Sequence, residues 1–190
     1  MTTLIACDGS SHQNGKGGPM GWAWARDDGS WLSNSYYTGS NQRAELWGIW
    51  SVLKFHPKGS IIVQLDSQYA LNVTEKWAAG WARRNWIKAD GKLVLNRDII
   101  EPILALKQAR KDPIEFQWVK GHRKDNAYPL NTVADQRAGE ASARAKLVNN
   151  AQDSLKLYLD SKGRTFMPQE QEMMIKISAG LAAEKMRAVK

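Results

Sequence analysis

The sequence predicts a mixed α/β fold, and three observations support this. Two apolar runs, residues 3–8 (TLIACD) and 61–66 (IIVQLD), are typical of buried strands that end in aspartate. The aromatic-rich residues 21–26 and 31–37, separated by Asp-Asp-Gly, have the composition of a β-hairpin. Apolar side chains recur at helical spacing through residues 43–55. Strands and helices therefore alternate along the chain.

The first three strands are expected to be antiparallel, because a hairpin follows the first run directly. The helix over 43–55 should end before Pro57 and Gly59. After the second aspartate-terminated run, a further helix is predicted to begin at Ser67.

Four more segments complete the prediction. Residues 97–110 carry apolar side chains at helical spacing, and residues 114–119 (IEFQWV) are typical of a strand. An Ala-rich helix is predicted over 131–145. Residues 149–168 are polar and ambiguous, with LKLYL at 155–159 as one possible strand.

The pattern suggests a catalytic domain over residues 1–147 and a C-terminal appendage over residues 148–190. The appendage is expected to include an amphipathic helix at about residues 169–188, with a Met-Ile-Leu stripe on one side. This helix could contact nucleic acid, pack on the catalytic domain, or mediate self-association of a protein that is otherwise expected to be a monomer.

Composition narrows the class of protein. The chain has 190 residues, a formal net charge of +8 and a single cysteine, so intramolecular disulfides are excluded and polyanions are favoured partners. Cys7 is expected to be a buried core residue. No apolar run approaches the roughly 18 residues that a membrane span needs, so a cytoplasmic protein without membrane association is expected. The Gly-rich residues 15–21 lack the Lys-Ser/Thr ending of a phosphate-binding loop, which argues against a nucleotide cofactor.

Four acidic residues stand out by position: Asp8 and Asp66 at strand ends, and Glu45 and Asp135 on helices next to polar loops. Sites in open α/β sheets form beyond the carboxyl ends of strands. Carboxylates that meet there repel one another unless cations share the site. Oxygen ligands without a Cys or His cluster favour Mg²⁺ or Mn²⁺. Any one of these acids could instead be a helix cap or a solvated charge.

Five short motifs occur in a characteristic order: C-D-G-S at 7–10, N-Q-R-A-E-L at 41–46, D-S-Q-Y at 66–69, V-K-G-H at 119–122, and Asn131 four residues before Asp135. In these motifs and their spacing the chain resembles type 1 ribonucleases H over residues 3 to about 146. It departs from the family pattern at Val133, where Arg is usual.

The resemblance implies a ribonuclease H-like fold, a five-stranded mixed sheet of three antiparallel and two parallel strands flanked by helices. It implies that Asp8, Glu45, Asp66 and Asp135 hold two Mg²⁺ ions, with Mn²⁺ as a possible substitute. The implied reaction is endonucleolytic hydrolysis of the RNA strand of an RNA–DNA hybrid, which leaves 5′-phosphate and 3′-hydroxyl ends. His122 would assist proton transfer or product release, although it could also be an ordinary surface histidine.

The resemblance also implies a set of substrate contacts. Amide side chains suit the RNA 2′-hydroxyl, which both donates and accepts hydrogen bonds. By resemblance Asn14, Asn41 and Gln68 would face the minor groove, while Ser40 and Arg43 would hold a DNA phosphate. Asn14 could equally be a turn residue.

Residues 75–92 resemble the basic handle with which several family members grip the hybrid. Arg83 and Arg84 would add phosphate contacts there, and Trp77 could lie against a DNA sugar. Trp81 and Trp86 are expected to serve packing instead. Gly80 and Ala82 depart from the polar residues often found in this segment.

Three alternatives remain open at this point. Another metal nuclease of the same fold, such as a junction resolvase, is disfavoured by the handle and the V-K-G-H motif. A non-catalytic hybrid-binding module would have lost at least one acid, whereas all four are present. A basic structural protein would explain the charge but not the ordered acids.

Overall fold

A computed structural model describes residues 1–12, 17–121 and 125–161, and their side chains as far as residue 150. Within these ranges the strands form a single five-stranded sheet. They are β1 (Thr3–Ser11), β2 (Gly18–Arg26), β3 (Trp31–Gly39), β4 (Ile61–Leu65) and β5 (Ile114–Trp118). Their order across the sheet is β3-β2-β1-β4-β5. The β1–β2 and β2–β3 pairs are antiparallel, and the β1–β4 and β4–β5 pairs are parallel, which confirms the predicted mixed sheet.

The hairpin between β2 and β3 turns where the sequence predicts it. The Asp28 carboxylate accepts a hydrogen bond from the Ser30 main-chain N–H at 2.9 Å, and Gly29 has a positive φ of 83°, which suits a residue without a side chain. Eight of the nine residues of β2 are buried, whereas β3 is largely exposed. Strand β3 is therefore an edge of the sheet, and β2 lies inside it.

The helices predicted at 43–55, from Ser67, at 97–110 and at 131–145 are present within the described residues. The helices of this part of the chain are α1 (Asn41–Phe55), α2 (Gln68–Asn72), α3 (Ala78–Arg83), α4 (Arg97–Ala109) and α5 (Pro129–Ser161), and α3 is a helix that the sequence did not predict. A π-helical turn, Val73–Trp77, joins α2 to α3. Ser67 caps α2, because its side chain accepts a hydrogen bond from the Ala70 N–H at 3.2 Å. The helix expected to begin at Ser67 thus starts one residue later, with Ser67 as its cap.

Helices α1 and α5 cover opposite faces of the sheet. The Trp22 ring on β2 stacks on Trp47 of α1, with 5.2 Å between ring centroids. Ser33 of β3 pairs with Ala23, the neighbour of Trp22, and receives a hydrogen bond from Arg144 of α5 at 3.0 Å. Successive residues of a strand point to opposite faces. Helix α1, which contacts Trp22, and helix α5, which contacts the face of Ala23, therefore lie on different sides of the sheet.

The main core lies between the sheet and the helices α1 to α4. It includes the fully buried Ile5, Ile49, Val63 and Ile100. Cys7 belongs to it with 1% of its surface exposed, as expected. Among the residues described, no helix combines the length and apolar character that crossing a bilayer would demand.

Helix α5 continues through Ser161, well beyond the predicted end at residue 145. The alternative of a strand at 155–159 is therefore wrong, because these residues are helical. A short apolar run cannot distinguish the two structures, and extending an existing helix avoids the cost of a new nucleus. The helix predicted at about 169–188 lies outside the described residues. The boundary at residue 147 stays a prediction, since α5 crosses it without a break.

Candidate metal centre

Three of the four predicted acids meet at one end of the sheet. Asp8 lies on β1, Glu45 on α1, and Asp66 directly after β4. Each offers a carboxylate oxygen, and these oxygens all lie within 4.8 Å of one another. The structure thus brings together residues that are up to 58 positions apart in the chain.

Close contact between β1 and α1 places Glu45 beside Asp8. At Gly9 a Cβ atom would overlap the backbone of Ala44 and Glu45, so only glycine allows this approach. Ser40 caps α1 through a 3.2 Å hydrogen bond from the Arg43 N–H to its side chain. The helix therefore begins at a defined residue and presents Glu45 from its second turn.

Asp135, the fourth predicted acid, lies near the start of α5 and is half-buried. Its negative charge helps to raise the pKa values of both Asp8 and Glu45. Asp135 is therefore close enough to act on the cluster, but it does not belong to the tight group of three oxygens within the described residues.

Burial and mutual repulsion perturb the pKa values of the cluster. Burial, followed by the charges of Asp66 and Asp135, raises the pKa of Asp8 to about 8. Burial also raises the pKa of Glu45 well above its usual range, and the charges of Asp8 and Asp66 add to this effect. A hydrogen bond joins the carboxyl groups of Asp8 and Glu45. Without a cation the site therefore retains protons at neutral pH.

The donor set fits a hard divalent cation. Asp8 and Glu45 are 5% and 6% exposed, so ionising them together without a cation would be costly. The three donors are all carboxylate oxygens, the ligand type that Mg²⁺ and Mn²⁺ prefer. Burial raises the pKa of the neighbouring Cys7 thiol, which keeps this sulfur protonated and removes it as a competing ligand or nucleophile.

The predicted substrate-binding residues outside the handle lie mostly at the starts of α1 and α2. Asn41 and Gln68 are the first residues of α1 and α2, with Asn41 half-buried and Gln68 exposed. Ser40 and Arg43 already have partners inside the protein. The Arg43 guanidinium forms a bidentate ion pair with Asp98, and the distance from Nη1 to Oδ1 is 2.8 Å. Asn14 and His122 lie outside the described residues.

The predicted handle, residues 75–92, contains the π-helical turn from Glu75 onward, helix α3 and an irregular segment. Arg83 and Arg84 are exposed, and Trp77 is 39% exposed. Trp86 is buried and Trp81 is packed against the core, as expected for packing residues. The two arginine side chains therefore face solvent, while two of the tryptophans pack the segment against the protein.

A concave surface of about 450 Å³ lies between this handle and the starts of α1 and α2. Its lining combines aromatic, cationic and amide side chains: Tyr69, Trp77, Trp81, Arg84, Lys88 and Gln42. Sequence reasoning gave no role to Gln42 and Tyr69. Both belong to motifs that carry the family resemblance, N-Q-R-A-E-L and D-S-Q-Y. Their membership in these motifs is the signal from which they could have been identified.

Comparison with known proteins adds independent information. A family model described as RNase H matches residues 1–143. The ribonuclease H of Tropheryma whipplei (strain Twist) is 39% identical over 141 residues, which cover 73% of this chain and 83% of that protein. The ribonuclease HI of Streptomyces coelicolor is 35% identical over 154 residues, which cover 78% of this chain and 64% of that protein.

A solved structure shares the fold. It is a type 1 RNase H with the type 2 active-site motif, and it superimposes with a TM-score of 0.60. The alignment covers 74% of this chain and 72% of the solved one at 22% sequence identity. At this identity the likeness supports the architecture of the sheet and helices rather than any individual residue.

Proposed function

The chain belongs to the ribonuclease H family, and from this premise we propose that Asp8, Glu45, Asp66 and Asp135 hold two Mg²⁺ ions with which it cuts RNA–DNA hybrids. The family activity is endonucleolytic hydrolysis of the RNA strand, so the chain is a metal-dependent endoribonuclease. The observation that carries the proposal is the group of three carboxylate oxygens within 4.8 Å of one another.

The side chains suit this chemistry. When bound, divalent ions would supply positive charge that polarises the scissile phosphodiester and lowers the pKa of water. Asp8, raised to a pKa of about 8 by burial and its acidic neighbours, would lose its proton on metal binding. Glu45 and Asp66 would ligate from α1 and from the end of β4. Asp135 would complete the set from α5.

The hybrid would be recognised by groups near this centre. We assign Asn41 and Gln68 to the minor groove. These two amide residues are the first residues of α1 and α2, and the starts of both helices adjoin the handle. Arg83 and Arg84 are exposed and would contact phosphates. Asn14, Ser40, Arg43 and Trp77 are assigned to substrate contacts, and His122 to proton transfer or product release, on the basis of the sequence resemblance.

A contact between Arg43 and a DNA phosphate requires a further condition. The Arg43 guanidinium is held by Asp98, so a DNA phosphate would have to share Arg43 with this carboxylate or displace it. The main-chain N–H groups of Asn41 and Gln42, at the start of α1, would be donors that do not depend on the Arg43 side chain.

The experiment that tests the function presents four labelled substrates in turn: an RNA–DNA hybrid, duplex RNA, duplex DNA and a four-way junction. Each is incubated with Mg²⁺ and then with Mn²⁺. We expect cleavage of the RNA strand of the hybrid alone, with 5′-phosphate and 3′-hydroxyl ends. Preferential cutting of the junction would favour a resolvase, and binding without cleavage would favour a non-catalytic module.

A further inference from the structure

Asp66 occupies a short connection between two elements. It follows Leu65, the last residue of β4, and precedes Ser67, the cap of α2. Asp66 thus belongs to neither the strand nor the helix. Contacts from other parts of the protein can therefore help to fix its backbone and the place of its carboxylate in the cluster.

Trp118 and Val119, at and just after the end of β5, supply two hydrogen bonds to Asp66 and to the residue before it. The indole Nε1–H of Trp118 donates to the main-chain carbonyl oxygen of Asp66 at 2.9 Å. The Val119 N–H donates to the carbonyl oxygen of Leu65 at 3.0 Å. Two successive carbonyl groups are thus anchored to Trp118, the last residue of β5, and to Val119, which follows it. These bonds limit rotation of the Leu65–Asp66 and Asp66–Ser67 peptide units.

Hydrophobic burial does not explain why a tryptophan stands at this position. Trp118 lies on the edge strand β5 and is 46% exposed. A smaller aliphatic or aromatic residue could occupy a strand position this open to solvent. The feature specific to tryptophan is the indole N–H, and in this structure that donor is directed to the carbonyl of a candidate metal ligand.

Gly121 constrains the side chain of Asp66. A Cβ atom at this position would overlap the Oδ2 atom of Asp66 and would lie 3.1 Å from its Cβ. The backbone at Gly121 therefore packs closely against the Asp66 carboxyl group. A side chain there would force the carboxyl group away from its present position next to Asp8 and Glu45.

We propose that Trp118 and Gly121 are positioning residues that hold Asp66 in place for divalent cations, Trp118 through the main-chain carbonyl and Gly121 through the carboxyl group. This inference rests on the proposed function, because it assumes that Asp66 is a metal ligand. Neither residue needs to contact the substrate. Groups that orient metal ligands commonly change metal affinity or activity by about 10- to 100-fold when they are removed.

The test for Trp118 uses Trp118→Phe, which keeps an aromatic ring and removes the N–H donor. The matched control is Trp31→Phe, because Trp31 lies on the opposite edge strand and is also 46% exposed. Mn²⁺ binding to the full chain without nucleic acid is measured by isothermal titration calorimetry. Hybrid cleavage is measured over a range of Mg²⁺ concentrations, and folding is checked by circular dichroism and thermal unfolding.

We expect Trp118→Phe to weaken Mn²⁺ binding about 10-fold and to raise by a similar factor the Mg²⁺ concentration that gives half-maximal kcat. High Mg²⁺ should restore most of kcat, and KM for the hybrid should match that of Trp31→Phe. Mn²⁺ affinity and Mg²⁺ dependence equal to those of Trp31→Phe would overturn the role of Trp118, even if Trp118→Phe were less stable.

Gly121→Ala tests the second contact while leaving the indole hydrogen bond in place. Its control is Gly139→Ala on α5, where an added Cβ meets nothing within 4 Å. We expect Gly121→Ala to bind Mn²⁺ at least about 10-fold more weakly and Gly139→Ala to bind it normally. Unchanged Mn²⁺ affinity in Gly121→Ala would overturn the role of Gly121.

Asp66→Asn separates failure of this inference from failure of the proposed function. If the unmodified protein binds Mn²⁺ and Asp66→Asn does not, the positioning roles are tested by calorimetry whether or not the hybrid is cut. Cleavage with normal Mn²⁺ binding in Asp66→Asn would overturn the positioning proposal and leave the reaction intact.

Discussion

At the scale of single residues, the important feature is a carboxyl group kept in an environment that disfavours its charge. Asp8 is 5% exposed and lies beside Glu45 and Asp66. Its pKa of about 8 means that the metal-free protein holds a proton where the metal-bound protein would hold a cation. Binding a divalent ion should therefore release protons, and affinity should rise with pH through the neutral range.

The first prediction concerns turnover. Asp8→Asn should lower kcat by at least about 100-fold, because it removes a proposed ligand oxygen and a negative charge from the proposed cation site. The fold and the affinity for the hybrid should change little, since Asn has nearly the same shape. Single-turnover cleavage and fluorescence anisotropy with labelled hybrid measure the two effects. Normal turnover in this variant would remove Asp8 from the metal site.

The second prediction concerns stability without metal. The pKa of Asp8 rises from 3.8 when unfolded to about 8 when folded, so between these values the folded state binds more protons. Folding stability contributed by this group is then lost as pH rises from about 4 to about 8, by at most about 1.4 kcal/mol per pH unit.

Asp8→Asn lacks this titration and should therefore be more stable than the unmodified protein in EDTA, by more at about pH 8 than at about pH 5. Urea unfolding followed at both pH values measures the difference. An equal difference in stability at the two pH values would contradict a raised pKa for Asp8.

At the scale of secondary-structure elements, the site depends on how closely a strand and a helix approach. Gly9 of β1 lies against the backbone of Ala44 and Glu45, and this contact sets the position of α1 relative to Asp8. The geometry of the cluster is therefore decided partly by a residue that carries no functional group.

The third prediction follows from this contact. Gly9→Ala should destabilise the protein by about 1–3 kcal/mol, because the extra methyl group overlaps a packed backbone. It should also lower activity more than the reduced amount of folded protein explains, since α1 carries Glu45 away from Asp8. Urea unfolding and cleavage assays on the folded fraction measure both effects, with Gly139→Ala as control. Unimpaired stability would show that α1 can shift without cost.

The fourth prediction concerns the expected domain boundary and follows from contacts that α5 makes beyond residue 147. Val148 is 7% exposed, and the Asn149 side chain donates to the Tyr37 carbonyl oxygen at 2.9 Å. A chain that ends at residue 147 should therefore be about 2–3 kcal/mol less stable than one that ends at residue 161. Thermal unfolding of the two truncated proteins compares them, and equal melting temperatures would support the boundary at residue 147.

At the scale of the whole molecule, the net positive charge is the feature that we expect to attract a nucleic-acid substrate. The net charge is +8, and the exposed Arg83 and Arg84 lie in the handle beside the concave surface lined by Trp77 and Gln42. In the proposed function, non-specific attraction to phosphates and specific placement of the hybrid would thus draw on the same part of the surface.

The fifth prediction uses the salt dependence of binding. Arg83→Ala and Arg84→Ala should each weaken hybrid binding and lower the slope of log affinity against log salt by about one for each phosphate that the arginine neutralises. Lys111→Ala is the control, because Lys111 is exposed just before β5, at the amino end of that strand. Equal salt slopes in all three variants would show that the handle does not contact phosphates.

Much of the fold and of the site was predictable because the relevant signals are local. Asp8 and Asp66 follow apolar runs, and Glu45 follows the cap residue Ser40, so their elements could be read from periodicity and spacing. The convergence of these acids follows from topology, since the carboxyl ends of parallel strands share one edge of a sheet. The length of α5 was not predictable, because a short apolar run fits a strand or a helix.

By itself, the sequence determined the order of elements, the mixed sheet and the acids that its strands and helices would present. Only the tertiary structure decided that Arg43 pairs with Asp98, that Trp118 holds the carbonyl of Asp66, and that Gly121 lies against its carboxyl group. These contacts join residues far apart in the chain, and their existence depends on packing distances of a few ångströms. Periodicity carries no information about such distances, whereas the folded backbone fixes them.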